Sequence, residues 1–200
     1  MTGRRCRKAI LHWKESASRS WPHSIAGKSR VTFTATAPAG LKSAAVVLGS
    51  RTLCVLTTAP FTCDFAPLGS DVGGQSLRIV VTDQLGQTTE SVRNVVVSRF
   101  VAKLKLRVAK KSTKAGVKRT LSGTVTFPSA VSRTQACTGK VMLTIKRGGR
   151  SILNQEVPLS KRCTFSRSVT DKRGSQSFSA KVTFSGNTVL NTTRQSRRFS

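Results

Sequence analysis

The stretch Phe178-Ser179-Ala180-Lys181-Val182-Thr183-Phe184-Ser185-Gly186-Asn187 decides the fold. Phe178, Ala180, Val182 and Phe184 share one side of an extended chain, Ser179, Lys181 and Thr183 share the other, and Ser185-Gly186-Asn187 is a turn signal. A period of two with one apolar side is the pattern of a half-buried strand. The pattern recurs on both flanks of this stretch. Leu104, Leu106 and Val108 alternate with Lys103, Lys105 and Arg107, and Val141, Leu143 and Ile145 oppose Lys140, Thr144 and Lys146. Turn signals at Lys146-Arg147-Gly148-Gly149-Arg150 and Asp171-Lys172-Arg173-Gly174 separate these runs.

The first half of the chain alternates as well. Val31, Phe33, Ala35 and Ala37 face away from Thr32, Thr34 and Thr36, and Leu77, Ile79 and Val81 repeat the pattern, as do Val95 and Val97. Strands about 8–12 residues apart with Gly-bearing turns indicate a sandwich or barrel. Helical periodicity is missing beyond residue 23, which argues against a parallel sheet with crossover helices. The fold class expected is all-β, as two tandem sandwiches.

Charge divides the chain in the same way. Residues 1–23 carry a net +5, residues 24–100 a net +3, and residues 101–200 a net +20 from 22 basic and two acidic residues. The boundaries expected are a disordered basic segment over 1–23, a first sandwich over 24–100 and a strongly basic sandwich over 101–200. A surface with this excess of cations attracts polyanions such as nucleic acid, anionic lipid or acidic wall polymer. No apolar run reaches the roughly 18 residues needed for a membrane-spanning helix.

Five cysteines follow the same division, with Cys54 and Cys63 in the first sandwich, Cys137 and Cys163 in the second, and Cys6 left over. An even count per domain predicts one disulfide in each and an oxidising compartment, with buried free thiols as the alternative. The short loop holding Ala59-Pro60 places Cys54 and Cys63 on adjacent antiparallel strands, while Cys137 and Cys163 join two strands or pin the sheet edge. Met1–His23 lacks the apolar core of a signal peptide. Either the chain is not exported or it is a fragment of a longer chain with neighbouring domains, and the fragment is the expectation, because Gly27 onward reads as a domain entered partway along a multidomain chain.

Two resemblances give these expectations a family. Val31-Thr32-Phe33-Thr34-Ala35-Thr36-Ala37, Leu53-Cys54, Ala59-Pro60-Phe61-Thr62-Cys63 and the segment Leu77–Thr88 resemble bacterial immunoglobulin-like repeats of secreted and cell-surface proteins. In such repeats, the Thr82-Asp83-x-x-Gly86-x-Thr88 portion is the last hairpin of the sandwich. Leu121-Ser122-Gly123-Thr124-Val125, Ala136–Val141, Arg162-Cys163-Thr164-Phe165 and Phe184–Leu190 resemble a second β-module of secreted actinobacterial proteins. The resemblance implies two immunoglobulin-like sandwiches, an extracellular or cell-surface location and no established activity.

Catalysis is poorly provided for. Both histidines, His12 and His23, lie outside the sandwiches, tyrosine is absent, and residues 101–200 contain only Glu156 and Asp171 as acids. These counts argue against Ser-His or Cys-His chemistry, a paired-carboxylate hydrolase and a His-metal centre. Asp64, Asp71, Asp83 and Glu90 read mostly as turn-capping residues, and a calcium site at Asp71 and Asp83 would lack the 6–8 oxygen ligands it needs. No cofactor is expected.

The candidate contacts are Lys103, Lys105 and Arg107 along a strand face and Lys146, Arg147 and Arg150 at a hairpin tip, meeting anionic cell-wall or surface polymers. Nucleic-acid binding is the weaker alternative, because Phe127, Phe165, Phe178 and Phe184 all take core parity and leave no stacking platform. The function expected is a non-catalytic structural or adhesive module.

Overall fold

The computed structural model describes residues 10–12, 24–171 and 177–199. The chain divides into two units, Met1–Ser98 and Arg99–Ser200. The first contains β1 (Ile10–His12), β2 (Ser24–Ile25), β3 (Ser29–Thr36), β4 (Leu41–Leu48), β5 (Arg51–Leu56), β6 (Phe61–Phe65), β7 (Gly73–Asp83) and β8 (Thr88–Val97). Two sheets result, ordered β1-β3-β6 and β2-β8-β7-β4-β5. The expected disorder of residues 1–23 meets a short strand at Ile10–His12, paired antiparallel to β3. The other residues of that segment, Cys6 among them, lie outside the described residues.

Alternation builds the first core. Val31, Phe33, Phe61 and Cys63 of one sheet meet Val46, Leu48, Leu77, Ile79, Val81 and Val97 of the other, all nearly solvent-free. Phe33 stacks on Phe61 with ring centroids 5.4 Å apart. The β7–β8 hairpin closes at Asp83, whose Oδ1 accepts from the backbone N–H groups of Leu85 and Gln87 at 2.9 and 2.8 Å. Gly86 supplies the positive φ of 79° that this turn requires.

The second unit contains β9 (Lys103–Thr113), β10 (Gly116–Thr126), the single-turn helix α1 (Arg133–Ala136), β11 (Lys140–Arg147), β12 (Arg150–Pro158), β13 (Thr164–Asp171), β14 (Phe178–Phe184) and β15 (Thr193–Phe199). Its sheets are ordered β9-β10-β13 and β12-β11-β14-β15. In immunoglobulin lettering each unit sets strands A, B and E against G, F, C and C′, with β2 added beside G in the first unit. Leu104, Leu106, Leu121, Val125 and Phe165 of the first sheet are buried, as are Val141, Leu143, Ile145, Val182 and Phe184 of the second.

Two residues fit the layers of the second unit together. Gly123 sits on the inward face of β10, opposite Leu106 and Phe165. A Cβ there would fall 2.3 Å from the Phe165 ring and 2.3 Å from the Lys105 carbonyl oxygen. Asn187 ties the β14–β15 connection to α1. Its Nδ2 donates to the carbonyls of Gln135, Ala136 and Thr138, and its Oδ1 accepts from Val189 and Leu190 N–H. One side chain therefore satisfies a helix end and a loop that would otherwise leave polar backbone unpaired.

Phe127 departs from its expected place. Phe165, Phe178 and Phe184 are buried, but Phe127 follows the last residue of β10 and stays half-buried.

Gly123→Ala should lower stability by about 1–3 kcal/mol, because the Phe165 ring and a β9 carbonyl must both yield. Chemical denaturation with an unchanged m-value checks this. Asn187→Asp should destabilise by at least as much as Asn187→Ala, which should cost about 2 kcal/mol. Aspartate keeps the acceptor but turns a carboxylate toward three carbonyls, so the order of the two variants in a thermal melt tests the donor role.

Candidate functional site

The acids of the first unit are nearly all engaged. Arg30 and Asp64 face each other in the β3–β6 register and form a two-point pair, Nε–Oδ1 at 2.6 Å and Nη2–Oδ2 at 2.8 Å. That hydrogen bonding and the adjacent charge raise the Arg30 pKa. The hydrogen bonds from Arg30 are the main reason the Asp64 carboxyl lies below its ordinary range. Both side chains are exposed, so the pair adds little to stability. Arg51 pairs with Asp71, which also accepts from Leu68 N–H at 2.8 Å, and Arg78 lies 3.7 Å from Glu90. Asp71 and Asp83 thus hold turns as expected. Asp64 and Glu90 instead stand within strands β6 and β8, where each faces a cation.

The second unit has far fewer acids to set against its cations. Lys140 reaches Glu156 at 2.9 Å. Lys103, Lys105 and Arg107 project from the outer side of β9, exposed, and none has an ion-pair partner among the described residues. Register continues their rows into hydroxyls. Lys103 lies opposite Thr126, Lys105 opposite Thr124 and then Thr164, and Arg107 opposite Ser122 and then Ser166. Thr120 and Ser168 extend these rows, with their oxygens 2.9 Å apart. The outer side of this sheet is therefore a cationic edge beside two hydroxyl columns. At its end Val101, Lys103, Thr126, Phe127 and Pro128 surround an open hollow of about 310 Å³.

Lys146, Arg147 and Arg150 occupy the β11–β12 hairpin of the other sheet. Arg147 and Arg150 face each other across Gly148 and Gly149, whose φ values of 50° and 85° make the two-residue turn. The structure keeps each expected triplet together and puts the two triplets on different sheets. Sequence reading passed over a further set on the outer side of the second sheet. Lys181 pairs with Thr144 on one flank and Ser196 on the other, so Lys146, Arg194 and Arg198 occupy its diagonal positions. The alternation of β14 and β15 carried that signal.

Arg119 is the one buried cation among the described residues. It shares inward parity with Leu121, is 3% exposed, and lies over the Phe178 ring at 4.0 Å. Phe178 in turn stacks on Phe199, centroids 5.7 Å apart. This contact shows that the β9–β10 and β11–β12 tips share one end of the unit, since Phe178 pairs with Arg147.

Both expected cysteine pairs are disulfides. Their placement differs from expectation. Cys54 on β5 and Cys63 on β6 belong to different sheets, so the bond joins the layers rather than neighbouring strands. The hairpin reading failed because β6 crosses to pair with β3. Cys137 ends α1 and Cys163 immediately precedes β13, so the second bond pins two connections. Cys163 has a φ of 56°, a costly conformation for a residue with a Cβ. The turn is held by Ser160, whose Oγ accepts from Arg162 and Thr164 N–H at 3.2 and 3.1 Å.

Among the described residues no group of three or more His, Cys, Asp or Glu side chains is arranged to hold a metal ion, and no helix is long and apolar enough to cross a membrane.

No protein-family model matches the chain, and no curated protein sequence matches it. Solved structures similar to it include the fibronectin(III)-like modules of Clostridium thermocellum CbhA, at 16% identity over 95% of this chain and 92% of that one, TM-score 0.35. Bacteroides ovatus SGBP-B, solved with a mixed-linkage heptasaccharide, is 14% identical over 94% of this chain and 47% of that one, TM-score 0.36. A Ca²⁺-stabilised, ice-binding adhesin of an Antarctic bacterium is 17% identical over 96% and 48%, TM-score 0.32. The fold assignment rests on strand pairing within each unit, and these likenesses add nothing to it.

Replacing Cys137 and Cys163 together by serine should cost about 3.5 kcal/mol, and replacing Cys54 and Cys63 about 2.6 kcal/mol, following the closed-loop lengths of 26 and 9 residues. Denaturant midpoints of the two double variants provide the comparison. A larger loss from the shorter loop would show that the inter-sheet bond does more than limit the unfolded chain.

Proposed function

We propose that this chain is a non-catalytic structural and adhesive module of an extracellular or cell-surface bacterial protein of actinobacterial type, and that its second unit contacts anionic wall polymers. The observation that carries this reading is the contrast in acid supply. Three of the first unit's cations sit beside carboxylates, whereas Lys103, Lys105 and Arg107 of the second face solvent with none among the described residues. Unpartnered surface cations add self-repulsion to a fold and are offset when an anion neutralises them. The motif resemblance to secreted repeats and the two disulfides support an oxidising location.

In this reading Lys103, Lys105, Arg107, Lys146, Arg147 and Arg150 are contact residues and no residue is catalytic. The first unit, with its mostly engaged acids, serves as spacer or support. One observation favours a nucleic-acid partner instead. Half-buried Phe127 lines the hollow that Lys103 also lines, and a base could enter there. A single ring makes a short platform, so the wall polymer remains the better match.

The test is retention of the whole protein on purified anionic wall polymer and on duplex DNA at about 0.15 M salt, where exposed long-range attraction is screened. Wall polymer should retain it and DNA should not. Neutralising either triplet to glutamine should weaken retention several-fold. Equal or stronger retention on DNA would overturn the reading, as would free thiols at Cys54 and Cys63 in protein isolated from its host.

A further inference from the structure

We infer that the outer side of the β9-β10-β13 sheet is a track for an extended phosphodiester polymer of a short polyol, with phosphates lying along β9 and polyol hydroxyls over the threonine and serine columns. This deepens the proposed function and rests on it, since it names the chemistry of the anionic polymer.

Spacing is the first argument. Alternate residues on one side of a strand are about 6.8 Å apart. Lys103, Lys105 and Arg107 therefore repeat positive charge at that interval, and Lys111 resumes it after Ala109. A polyol phosphodiester with three carbons per repeat has six backbone bonds from one phosphorus to the next. Extended, six bonds span about 7 Å, twice the three-bond residue of a polypeptide. The two repeats stay in step over three charges. Each strand of duplex DNA has the same six-bond repeat, but it winds about the helix axis and so leaves a straight flat row.

Chemistry beside the row is the second argument. Register sets Thr126, Thr124 and Ser122 next to the three cations and Thr164 and Ser166 beyond them. Hydroxyls donate to phosphate oxygens and also exchange hydrogen bonds with polyol hydroxyls. They offer no face for bases. A single-stranded nucleic acid shares the six-bond repeat, but its binding draws on successive aromatic platforms, and this sheet has one half-buried ring at its end, Phe127. The hollow beside Phe127 and Pro128 would take one apolar or cyclic group at the chain end.

The experiment uses the full chain and three probes of equal charge number: a glycerol-phosphate oligomer of about ten repeats, oligothymidylate, and polyglutamate. At about 0.15 M salt the glycerol-phosphate oligomer should bind at least ten-fold tighter than either of the others. Its affinity should fall with a log–log salt slope near −2, about 0.7 per phosphate neutralised at three sites. Lys105→Gln with Arg107→Gln should reduce binding at least ten-fold, while the charge-matched Lys28→Gln with Lys42→Gln leaves it within two-fold. On the unaltered protein, amide shifts on adding the oligomer should concentrate at 103–111 and 120–126.

Polyglutamate binding as tightly as the glycerol-phosphate oligomer, with oligothymidylate weaker, would overturn this inference and leave the broader wall-polymer reading standing, whereas equal binding of all three would overturn both. Preference for oligothymidylate would overturn both in favour of a nucleic-acid track. Shifts confined to the β11–β12 hairpin would overturn the track alone. Failure of every probe to bind would remove the polyanion reading altogether.

Discussion

A strand in a two-layer sandwich has one side that the core claims, and the remaining arrangement in both units follows from that claim. Burying a lone cation in apolar surroundings costs far more than a sandwich of this size can spare. Every enclosed inward position must therefore be apolar or be given a special accommodation, and the cations that share inward parity on the edge strands, Arg167 and Arg197, stay exposed. Val31, Phe33, Leu77 and Ile79 satisfy the rule in the first unit, and Leu121, Leu143, Val182 and Phe184 in the second. Arg119 is inward and buried, and the accommodation is the Phe178 face, backed by Phe199. A guanidinium suits this role because its charge is delocalised over a plane that can lie flat on a ring.

The same constraint turns composition into geometry. With 22 cations in the last hundred residues and most inward places closed to them, an outward row must become densely basic. Alternation then fixes the spacing of that row without further instruction. Lys103, Lys105 and Arg107 are regular because Leu104 and Leu106 are regular. Hydroxyls on β10 and β13 are the other half of the pattern, since threonine and serine are short polar residues that suit the pleated surface of a sheet. The first unit applies the same layer order to a different result, because its carboxylates stand beside its arginines.

Alternation alone makes the strands legible in the sequence, as at Val31–Ala37, Leu104–Val108 and Phe178–Phe184. Lys103, Lys105, Arg107, Lys146 and Arg150 are exposed, while Arg147 shares the inward parity of Ile145 and is half-buried. What alternation does not encode is which sheet a strand joins. Cys54 and Cys63 are nine residues apart and look like hairpin partners, yet β6 leaves β5 to pair with β3. Partner choice depends on the whole set of competing edges. Parity also fails at strand ends, where the second layer no longer covers the chain. Phe127 has the parity of Val125 but lies one residue past β10, and so remains partly open beside Val101. Asn187 was visible as a turn residue, while its bonds to α1 join positions about fifty residues apart that no local pattern connects. Arg119, by contrast, could have been read from its parity with Leu121 and Val125.

Charge at the hairpin tips works against the fold that displays it. Lys111 faces Lys118 across the β9–β10 hairpin, and Arg147 faces Arg150 across the next. Like charges directly opposite destabilise a pair by about 0.2–1 kcal/mol each. The Cys137–Cys163 bond, at about 3.5 kcal/mol, exceeds both together, so a small unit can keep these cations and remain folded. Lys111, Lys118 and Arg150 are exposed and lie outside the core. Salt and bound anion act on the same repulsion, salt by screening it and an anion by neutralising it. A ligand that binds only the folded surface therefore also stabilises it. In a surface of this composition, binding and stability are two readings of one electrostatic term.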